Sequence, residues 1–173
     1  MEKFLTIVKE MKVVIFDMYG VINFGSGVSP TVLQTLKTLR EDGKIVIILS
    51  NASFGSADAV SKYAKKGMFK GVHYDDVVTS GQFGYEAIQR GDVPVPGTTM
   101  YVFGTANFKR PEDKLPDLFK DSVYSVTEDM EKADFAYCGV PQIHGEDRMD
   151  IDDFIPKLEK IRKRNLEMVC ANP

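Results

Sequence analysis

The sequence predicts an α/β fold built on a parallel sheet. Three short apolar runs, at 12–17, 44–50 and 76–79, are each followed by a segment with the apolar spacing of a helix. Strand and helix alternating in this way is typical of a parallel sheet with right-handed crossovers. A second alternating set of short strands and helices follows a break rich in proline and glycine at 91–97, which predicts a further α/β domain.

The first strand ends in a charged residue. Four apolar residues, Val13 to Phe16, lead directly into Asp17, and Gly20 follows in a turn. An apolar run of this kind suits a strand that is covered on both faces. Asp17 would be expensive to bury unless a charged group paired with it, and a metal ion, or a phosphoryl substrate beside a magnesium ion, would offset that cost. The alternative is a turn-forming aspartate with no chemical role.

The helices of the first half have recognisable ends. Ser29 and Pro30 read as N-cap and first helical position of a helix that Gly43 terminates. The second helix is predicted from about Ser56 to Lys66, and the third at about 81–90. The apolar residues that give the first helix its spacing are Val32, Leu33, Leu36 and Leu39.

The break at 91–97 divides the chain into predicted domains 1–91 and 92–173. In the second domain, Thr127 is the expected cap of a short helical turn, and Phe154, Leu158 and Ile161 share one side of the last helix. The elements predicted there are strands at 99–103, 123–126, 135–140 and 167–170, and helices or helical turns at 112–120, 127–132 and 152–164.

Composition excludes several classes of protein. A net charge of −3 and a pI near 5.5 argue against a nucleic-acid binder. No apolar run approaches the roughly 20 residues that cross a bilayer, and the first ten residues are too interrupted by charge for a signal peptide. Cys138 and Cys170 lie in apolar runs and are expected to be reduced core residues of a cytoplasmic protein, with a disulfide between them as the alternative.

Polar residues end two strands that are expected to be neighbours. Asp17 ends the first strand, and Ser50 and Asn51 end the second. Neighbouring strands lie about 4.8 Å apart, so a carboxylate, a hydroxyl, an amide and the N–H groups of the turn would meet at one edge of the sheet. That set suits a phosphate group. Without Asp17 on the adjacent strand, helix capping would be the simpler explanation for Ser50 and Asn51.

Two motifs resemble those of a known family. Asp17-Met-Tyr-Gly-Val-Ile is similar to the first motif of the haloacid dehalogenase superfamily, Asp-x-Asp-Gly-Val/Thr, and Ile47-Ile-Leu-Ser-Asn51 is similar to its second. The likeness is to subclass IIA, the nitrophenyl- and sugar-phosphatase-like members. It implies a partial Rossmann-like core over 1–91 and a partial inserted α/β cap over 92–173. Cys170-Ala-Asn-Pro173 resembles the point where the family continues Asn-Pro-Asp.

The resemblance also implies roles for residues. Asp17 would be the nucleophile that forms an aspartyl-phosphate, and its carboxylate and the backbone carbonyl of Tyr19 would bind Mg²⁺. Ser50 would donate a hydrogen bond to the phosphoryl group, with help from Asn51 and from the N–H groups near Gly20. Such a reaction depends on positioning and on charge stabilisation.

The sequence departs from the family pattern in two ways. Tyr19 stands where the family usually has a second Asp as general acid/base, and phenols titrate near pH 10, so they are poor bases at neutral pH. The lysine of the third motif and the acidic residues of the fourth do not occur in this sequence, so Mg²⁺ affinity is expected to be weak. Asp150, Asp152 and Asp153 are expected to favour a helix N-terminus instead of a metal, and His73 and His144 are expected at the surface.

The resemblance favours a Mg²⁺-dependent phosphatase of small phosphorylated metabolites, weak or inactive in this 173-residue chain. The alternative is a non-catalytic member that binds a phosphorylated ligand or a protein partner. A third hypothesis is a flavodoxin-like domain that binds a cofactor phosphate. The turn after the first strand lacks the Gly-x-Gly-x-x-Gly fingerprint of a dinucleotide site. An uncovered apolar edge at Val13–Phe16 would predict a homodimer, an aggregate or a longer gene product.

Overall fold

A computed structural model describes residues 6–25, 27–104, 117–140, 142–143, 146–147 and 151–172. The chain forms two compact units. The first consists of Met1–Ser50 and Ser56–Thr79, and the second of Asn51–Gly55 and Ser80–Pro173. The described residues include no helix that is long and apolar enough to span a membrane.

The first unit is the predicted parallel sheet with its helices. Its three strands lie side by side in the order β1-β2-β3, and both pairs are parallel, as the strand–helix repeat predicts. In chain order the elements are β1 (Val13–Asp17), α1 (Pro30–Glu41), β2 (Ile45–Ser50), α2 (Ser56–Ala64) and β3 (Asp76–Thr79).

The two faces of this sheet have different environments. Side chains alternate between the two faces of the sheet. One face is buried together with residues of α1 and α2. The buried set comprises Val14, Val46, Ile48, Ser50, Val77 and Thr79 from the strands, and Leu36, Leu39, Ala59 and Tyr63 from the helices. On the other face Val13, Ile15 and Leu49 are about half exposed, at 46, 60 and 51%. The described part of the chain therefore covers one face of the sheet and leaves an apolar face open.

The ends of α1 follow the sequence prediction. The Ser29 hydroxyl accepts a hydrogen bond from the Val32 N–H at 3.3 Å, and Pro30 occupies the first turn. Gly43 adopts a φ of 75° just beyond the helix, a conformation that favours glycine. The Arg40 guanidinium donates to Asp75 Oδ1 at 2.7 Å, and Asp75 Oδ2 accepts the Val46 N–H at 2.8 Å. These contacts join α1, β2 and the segment before β3.

The second unit contains a second parallel sheet, in the order β5-β4-β6-β9. A separate antiparallel pair, β7 with β8, was not predicted from the sequence. In chain order the elements are α3 (Ser80–Arg90), β4 (Thr99–Phe103), β5 (Ser125–Val126), β6 (Phe135–Cys138), β7 (Gln142–Ile143), β8 (Glu146–Asp147), α4 (Ile155–Lys163) and β9 (Met168–Cys170), with 3₁₀ turns at Asp117–Phe119, Met130–Lys132 and Ile151–Asp153.

Aromatic packing explains why α3 belongs to the second unit. Phe119 is fully buried and makes edge-to-face contacts with Tyr85 of α3, Tyr124 and Tyr137, at centroid separations of 5.0, 5.4 and 5.1 Å. Ile88 of α3 lies in the same cluster. The second unit therefore resumes at Ser80, twelve residues before the predicted start of the second domain at residue 92. The predicted domain boundary stays a prediction.

Two predicted helical elements are shorter than expected. Asp129, not Thr127, caps the 3₁₀ turn, because its carboxylate accepts the Glu131 N–H at 3.1 Å. The helix predicted over 152–164 begins at Ile155, because Pro156 has no N–H to donate to the carbonyl of Asp152. Residues 112–116 of the helix predicted over 112–120 lie outside the described residues.

Two single-residue predictions are wrong. His73 is 8% exposed and not a surface residue, because its Nδ1 accepts the Phe69 N–H at 2.9 Å and orders the turn before β3. Burial lowers the pKa of this imidazole. Cys170 is exposed and not in the core, because β9 is the outermost strand of its sheet, although both cysteines are free thiols as predicted. His144 lies outside the described residues.

Candidate active site

Asp17 lies at the carboxyl edge of the first sheet. It is the last residue of β1 and is exposed, so its carboxylate carries no burial penalty. One oxygen, Oδ1, accepts the N–H of Met18 at 2.8 Å. This bond holds the carboxylate against the start of the following turn and leaves Oδ2 for other contacts.

The turn after Asp17 is closed by backbone hydrogen bonds. The Gly20 N–H donates to the Asn23 carbonyl at 2.9 Å, and the Asn23 N–H donates to the Met18 carbonyl at 2.8 Å. Gly20 has a φ of 83°, which is why glycine is suited to this position. Its N–H is already used inside the turn, so the role of Gly20 in binding phosphate stays a prediction and would require this bond to open.

Tyr19 stands at the tip of this turn. Its side chain is 45% exposed. The bonds that close the turn use the N–H groups of Gly20 and Asn23, and within the described residues none uses the N–H of Tyr19. The sequence analysis expected the N–H groups of this turn to contact a phosphate group, and for the N–H of Tyr19 that role stays a prediction.

Ser50 ends β2 on the covered side of the sheet. The strand register places Asp17 opposite Leu49 and Ser50 opposite Thr79, so Ser50 lies one residue further toward the carboxyl edge than Asp17. Because side chains alternate along a strand, Asp17 belongs to the open face and Ser50, 3% exposed, to the covered face. The two residues share the same edge of neighbouring strands but belong to opposite pleats.

Tyr63 of α2 is a residue near the site that sequence analysis missed. It is fully buried, and its hydroxyl makes no hydrogen bond of normal geometry. Burial raises the pKa of Tyr63 to about 12, while contact with the Ser50 side chain acts in the opposite direction and the charges of Tyr19 and Asp17 add to the rise. The phenol is therefore close enough to respond to all three. An aromatic residue on the apolar stripe of α2 was the available signal.

Asn51 follows Ser50 in the chain and contacts a different part of the molecule. Its side-chain amide donates to Asn172 Oδ1 at 2.9 Å, a contact within the second unit. The sequence analysis expected Asn51 to assist phosphate binding, which stays a prediction. Asn172 was not identified as its partner, because the two residues are 121 positions apart.

The oxygen atoms at this edge are of the chemical type that binds Mg²⁺. A carboxylate at Asp17 and a backbone carbonyl at Tyr19 are hard ligands of the type that this ion prefers. In the described part of the chain no cluster of three or more His, Cys, Asp or Glu side chains could hold a metal. Two protein donors would leave most coordination positions to water, to substrate oxygens or to further residues.

Comparison with solved structures finds the same fold in several hydrolases. A haloacid dehalogenase-like hydrolase from Brucella suis aligns with a TM-score of 0.78 at 22% identity, over 97% of this chain and 56% of that one. A possible sugar phosphatase from Cytophaga hutchinsonii gives 0.70 at 20% identity, over 95% and 56%. A glycerol phosphate phosphatase from Mycobacterium tuberculosis, solved with calcium, gives 0.61 at 17% identity, over 96% and 43%.

The chain therefore spans about half the length of these structures, 56% of the first two. Comparison with curated protein sequences gives no match. A family profile described as haloacid dehalogenase-like hydrolase matches residues 14–115, more than half of the chain, and this stretch includes Asp17, Ser50 and all of the first sheet except Val13. The chain belongs to the haloacid dehalogenase-like hydrolases.

Proposed function

We propose that the full-length protein containing this sequence is a Mg²⁺-dependent phosphatase of small phosphorylated molecules, with Asp17 as nucleophile. The observation that carries the proposal is an exposed carboxylate at the carboxyl edge of a parallel sheet, next to a strand that ends in Ser50. Ligands bind at this edge in open α/β sheets. The solved phosphatases with this fold, under 25% identical, support the reaction class without fixing a substrate.

The reaction proceeds in two displacements. Asp17 attacks phosphorus through Oδ2, a P–O bond to the carboxylate forms, and the bond to the leaving alcohol breaks. Water then attacks the phosphorus of the aspartyl-phosphate, the new P–O bond is cleaved, and inorganic phosphate leaves with Asp17 restored. The bond from the Met18 N–H to Oδ1 orients the carboxylate for the first step.

Hydrogen-bond donors stabilise the transferring group. In this proposal the donors to the phosphoryl oxygens are the Ser50 hydroxyl and the N–H of Tyr19. Donors placed in advance need no reorganisation as charge develops, and removing one in other enzymes costs about 10²–10³ in turnover. Mg²⁺, held by the Asp17 carboxylate and the Tyr19 carbonyl, would supply neutralisation of charge on the phosphoryl group.

Tyr19 limits proton transfer in this proposal. A phenol is a poor base at neutral pH, so the leaving alkoxide and the attacking water receive little general acid–base help, which is worth roughly 10²–10⁴-fold. Substrates with good leaving groups, such as p-nitrophenyl phosphate, are least affected. The 173-residue chain itself is expected to be weak or inactive. We further propose a cytoplasmic location, since both cysteines are free thiols.

The test is hydrolysis of p-nitrophenyl phosphate by the full-length protein with Mg²⁺. Asp17→Asn should abolish turnover, whereas Asp121→Asn, at an exposed position of the second unit, should not change it. Activity that survives Asp17→Asn would end the nucleophile assignment. Tyr19→Asp should raise turnover of alkyl phosphates by up to about 10²–10⁴-fold, and no increase would show that Tyr19 is not limiting.

A non-catalytic role is the second candidate, and Tyr19 in place of an acidic residue is the observation that favours it. Such a protein would bind a phosphorylated ligand or a protein partner at the same edge without hydrolysis. Thermal stabilisation by beryllofluoride with Mg²⁺, together with no measurable turnover, would support this candidate over the phosphatase.

A further inference from the structure

The two cysteines of the second unit face each other across neighbouring strands. Cys138 is the last residue of β6 and Cys170 the last of β9, and the strand register pairs them directly. Residues paired in this way project from the same face of a sheet. The Cys138 thiol contacts the Gly139 carbonyl at 4.0 Å and the Cys170 thiol contacts the Asn172 carbonyl at 3.2 Å, so each thiol has a backbone oxygen as its neighbour. The chain contains only these two cysteines.

We propose that Cys138 and Cys170 form a redox-sensitive pair that low-molecular-weight disulfides convert reversibly into an intramolecular disulfide. Paired residues on neighbouring strands have Cα atoms about 4.8 Å apart, inside the 4.4–6.8 Å range of disulfides. Cβ atoms must approach to about 3.5–4.5 Å, so the strands have to close slightly. An outermost strand of three residues, β9, can make that adjustment.

The exposures of the two thiols set the order of the reaction. Cys170 is exposed and meets the oxidant first, whereas Cys138 is half-buried. Burial, and secondly the neighbouring Cys170, raise the pKa of the Cys138 thiol to about 12, so Cys138 is a poor first nucleophile. Once Cys170 is bonded to the oxidant its charge is gone, and the adjacent Cys138 becomes the resolving thiol.

The exchange balances with oxidised glutathione as the oxidant. The Cys170 thiolate attacks one sulfur of glutathione disulfide, the S–S bond of the oxidant breaks, and one glutathione thiolate leaves. Cys138 then loses its proton and attacks Cys170 Sγ, which forms the Cys138–Cys170 bond and releases the second glutathione. Two protein thiols are oxidised and one small disulfide is reduced to two thiols. A bond that needs strand closure is strained and hence readily reduced again.

Two hydrogen bonds connect Cys170 to the side chain of Asn51, so oxidation of the cysteine pair is expected to affect Asn51. The Cys170 thiol contacts the Asn172 carbonyl at 3.2 Å, and the Asn172 side chain accepts from the Asn51 amide at 2.9 Å. Forming the disulfide removes the S–H donor and shifts the end of β9. The side-chain amide of Asn51, directly after Ser50 in the chain, is therefore the group that responds. This consequence does not depend on the proposed phosphatase activity.

The test treats the purified chain with oxidised glutathione and follows intact mass and free thiols. The titratable thiols should fall from two to none, the mass should drop by two hydrogen atoms, and reductant should reverse both changes. Cys138→Ser should stop at a mixed disulfide on Cys170 and gain the mass of one glutathione less two hydrogen atoms. Cys170→Ser should react with oxidised glutathione far more slowly than the unchanged chain or Cys138→Ser. A stable mixed disulfide in the unchanged chain, a disulfide between two chains, or unreacted thiols would overturn the proposal.

A second measurement tests the connection to Asn51. In a ¹⁵N-labelled sample the side-chain amide signals of Asn51 should shift on oxidation, and those of Asn23 in the first unit serve as the internal control. The same treatment of Cys138→Ser separates disulfide formation from simple modification of Cys170. An Asn51 signal that stays in place after the disulfide has formed would refute the connection.

Discussion

At the residue scale, the site depends on what surrounds Ser50. The serine ends β2 on the covered face of the sheet, and the phenol of Tyr63 lies close to it from α2. A buried hydroxyl without a normal hydrogen bond costs free energy, because it has given up its contacts with water. The ring of Tyr63 therefore packs beside the site, while its buried hydroxyl makes no hydrogen bond of normal geometry.

Tyr63→Phe should leave the free energy of unfolding unchanged or raise it by up to about 1 kcal/mol, since it removes an unpartnered polar atom and keeps the ring. Urea unfolding of the two proteins measures this difference. Tyr63→Ala is the matched control and should cost about 3–5 kcal/mol through loss of the ring. A loss above 1 kcal/mol for Tyr63→Phe would mean that the hydroxyl is bonded, with Ser50 as its partner.

Single residues were predictable where local chemistry decides their role. Asp17 and Ser50 were identified because each ends an apolar strand, and Ser29 because its hydroxyl precedes a proline at a helix start. Tyr63 and Asn172 could not be identified, because their roles depend on residues that only the folded chain brings near. His73 was misplaced for the same reason, since its partner is a backbone N–H in a turn.

At the element scale, the first sheet has one stabilising face. Ile48 is fully buried, whereas Ile15, on β1, is 60% exposed. Ile48→Ala should therefore cost about 2–5 kcal/mol, the range for large-to-small changes in cores. Ile15→Ala, the matched variant, should cost less than about 1 kcal/mol. Chemical denaturation of both gives the comparison, and equal losses would show that the open face is covered in solution.

The ion pair between α1 and the segment before β3 makes stability depend on pH. The hydrogen bond from Arg40 holds the pKa of Asp75 below its usual value, with a further contribution from the Val46 N–H. A carboxylate with a lowered folded-state pKa stabilises the fold above its unfolded value of 3.8, and that stability is lost as pH falls through the folded-state pKa.

Asp75→Asn should therefore lower the free energy of unfolding by about 1–3 kcal/mol at pH 7, and the deficit should shrink as pH falls below 3.8. Unfolding of both proteins across this range measures it, with Asp121→Asn as the control at an exposed position. A deficit that is independent of pH would show that the ionised carboxylate is not responsible.

Strands and helices in the first half of the chain were predictable because the spacing of apolar residues and the residues that begin and end each helix indicate the same elements. The elements that differ are governed by finer constraints. Pro156 blocks extension of the last helix toward Asp152, and Asp129 competes with Thr127 as a cap. The β7–β8 pair is too short, at two residues in each strand, to give a period that sequence could reveal.

At the scale of the whole molecule, we expect the open apolar face of the first sheet to promote association of the chain in solution. Val13 and Ile15 of β1 and Leu49 of β2 lie on that face, and among the described residues β1 is an outer strand, whose edge can pair with another chain. Exposed apolar surface of this kind promotes association. The sequence could predict the apolar edge, but the exposure of one whole face required the folded structure.

The 173-residue chain should therefore form dimers or larger species in size-exclusion chromatography with light scattering. Ile15→Glu should weaken association strongly, because it places a charge on the open face. Val123→Glu changes a 75% exposed residue of the second unit and should have no such effect. A stable, monodisperse monomer of the unchanged chain would contradict this prediction.

We propose that Asp17 carries the phosphoryl group during turnover. The most direct measurement is acid quenching of the full-length protein during turnover of p-nitrophenyl phosphate with Mg²⁺, followed by mass spectrometry of its peptides. The peptide containing Asp17 should gain the mass of one phosphoryl group, and the adduct should be absent from Asp17→Asn. Turnover with phosphate found on Ser50, or with no protein adduct at all, would contradict the account.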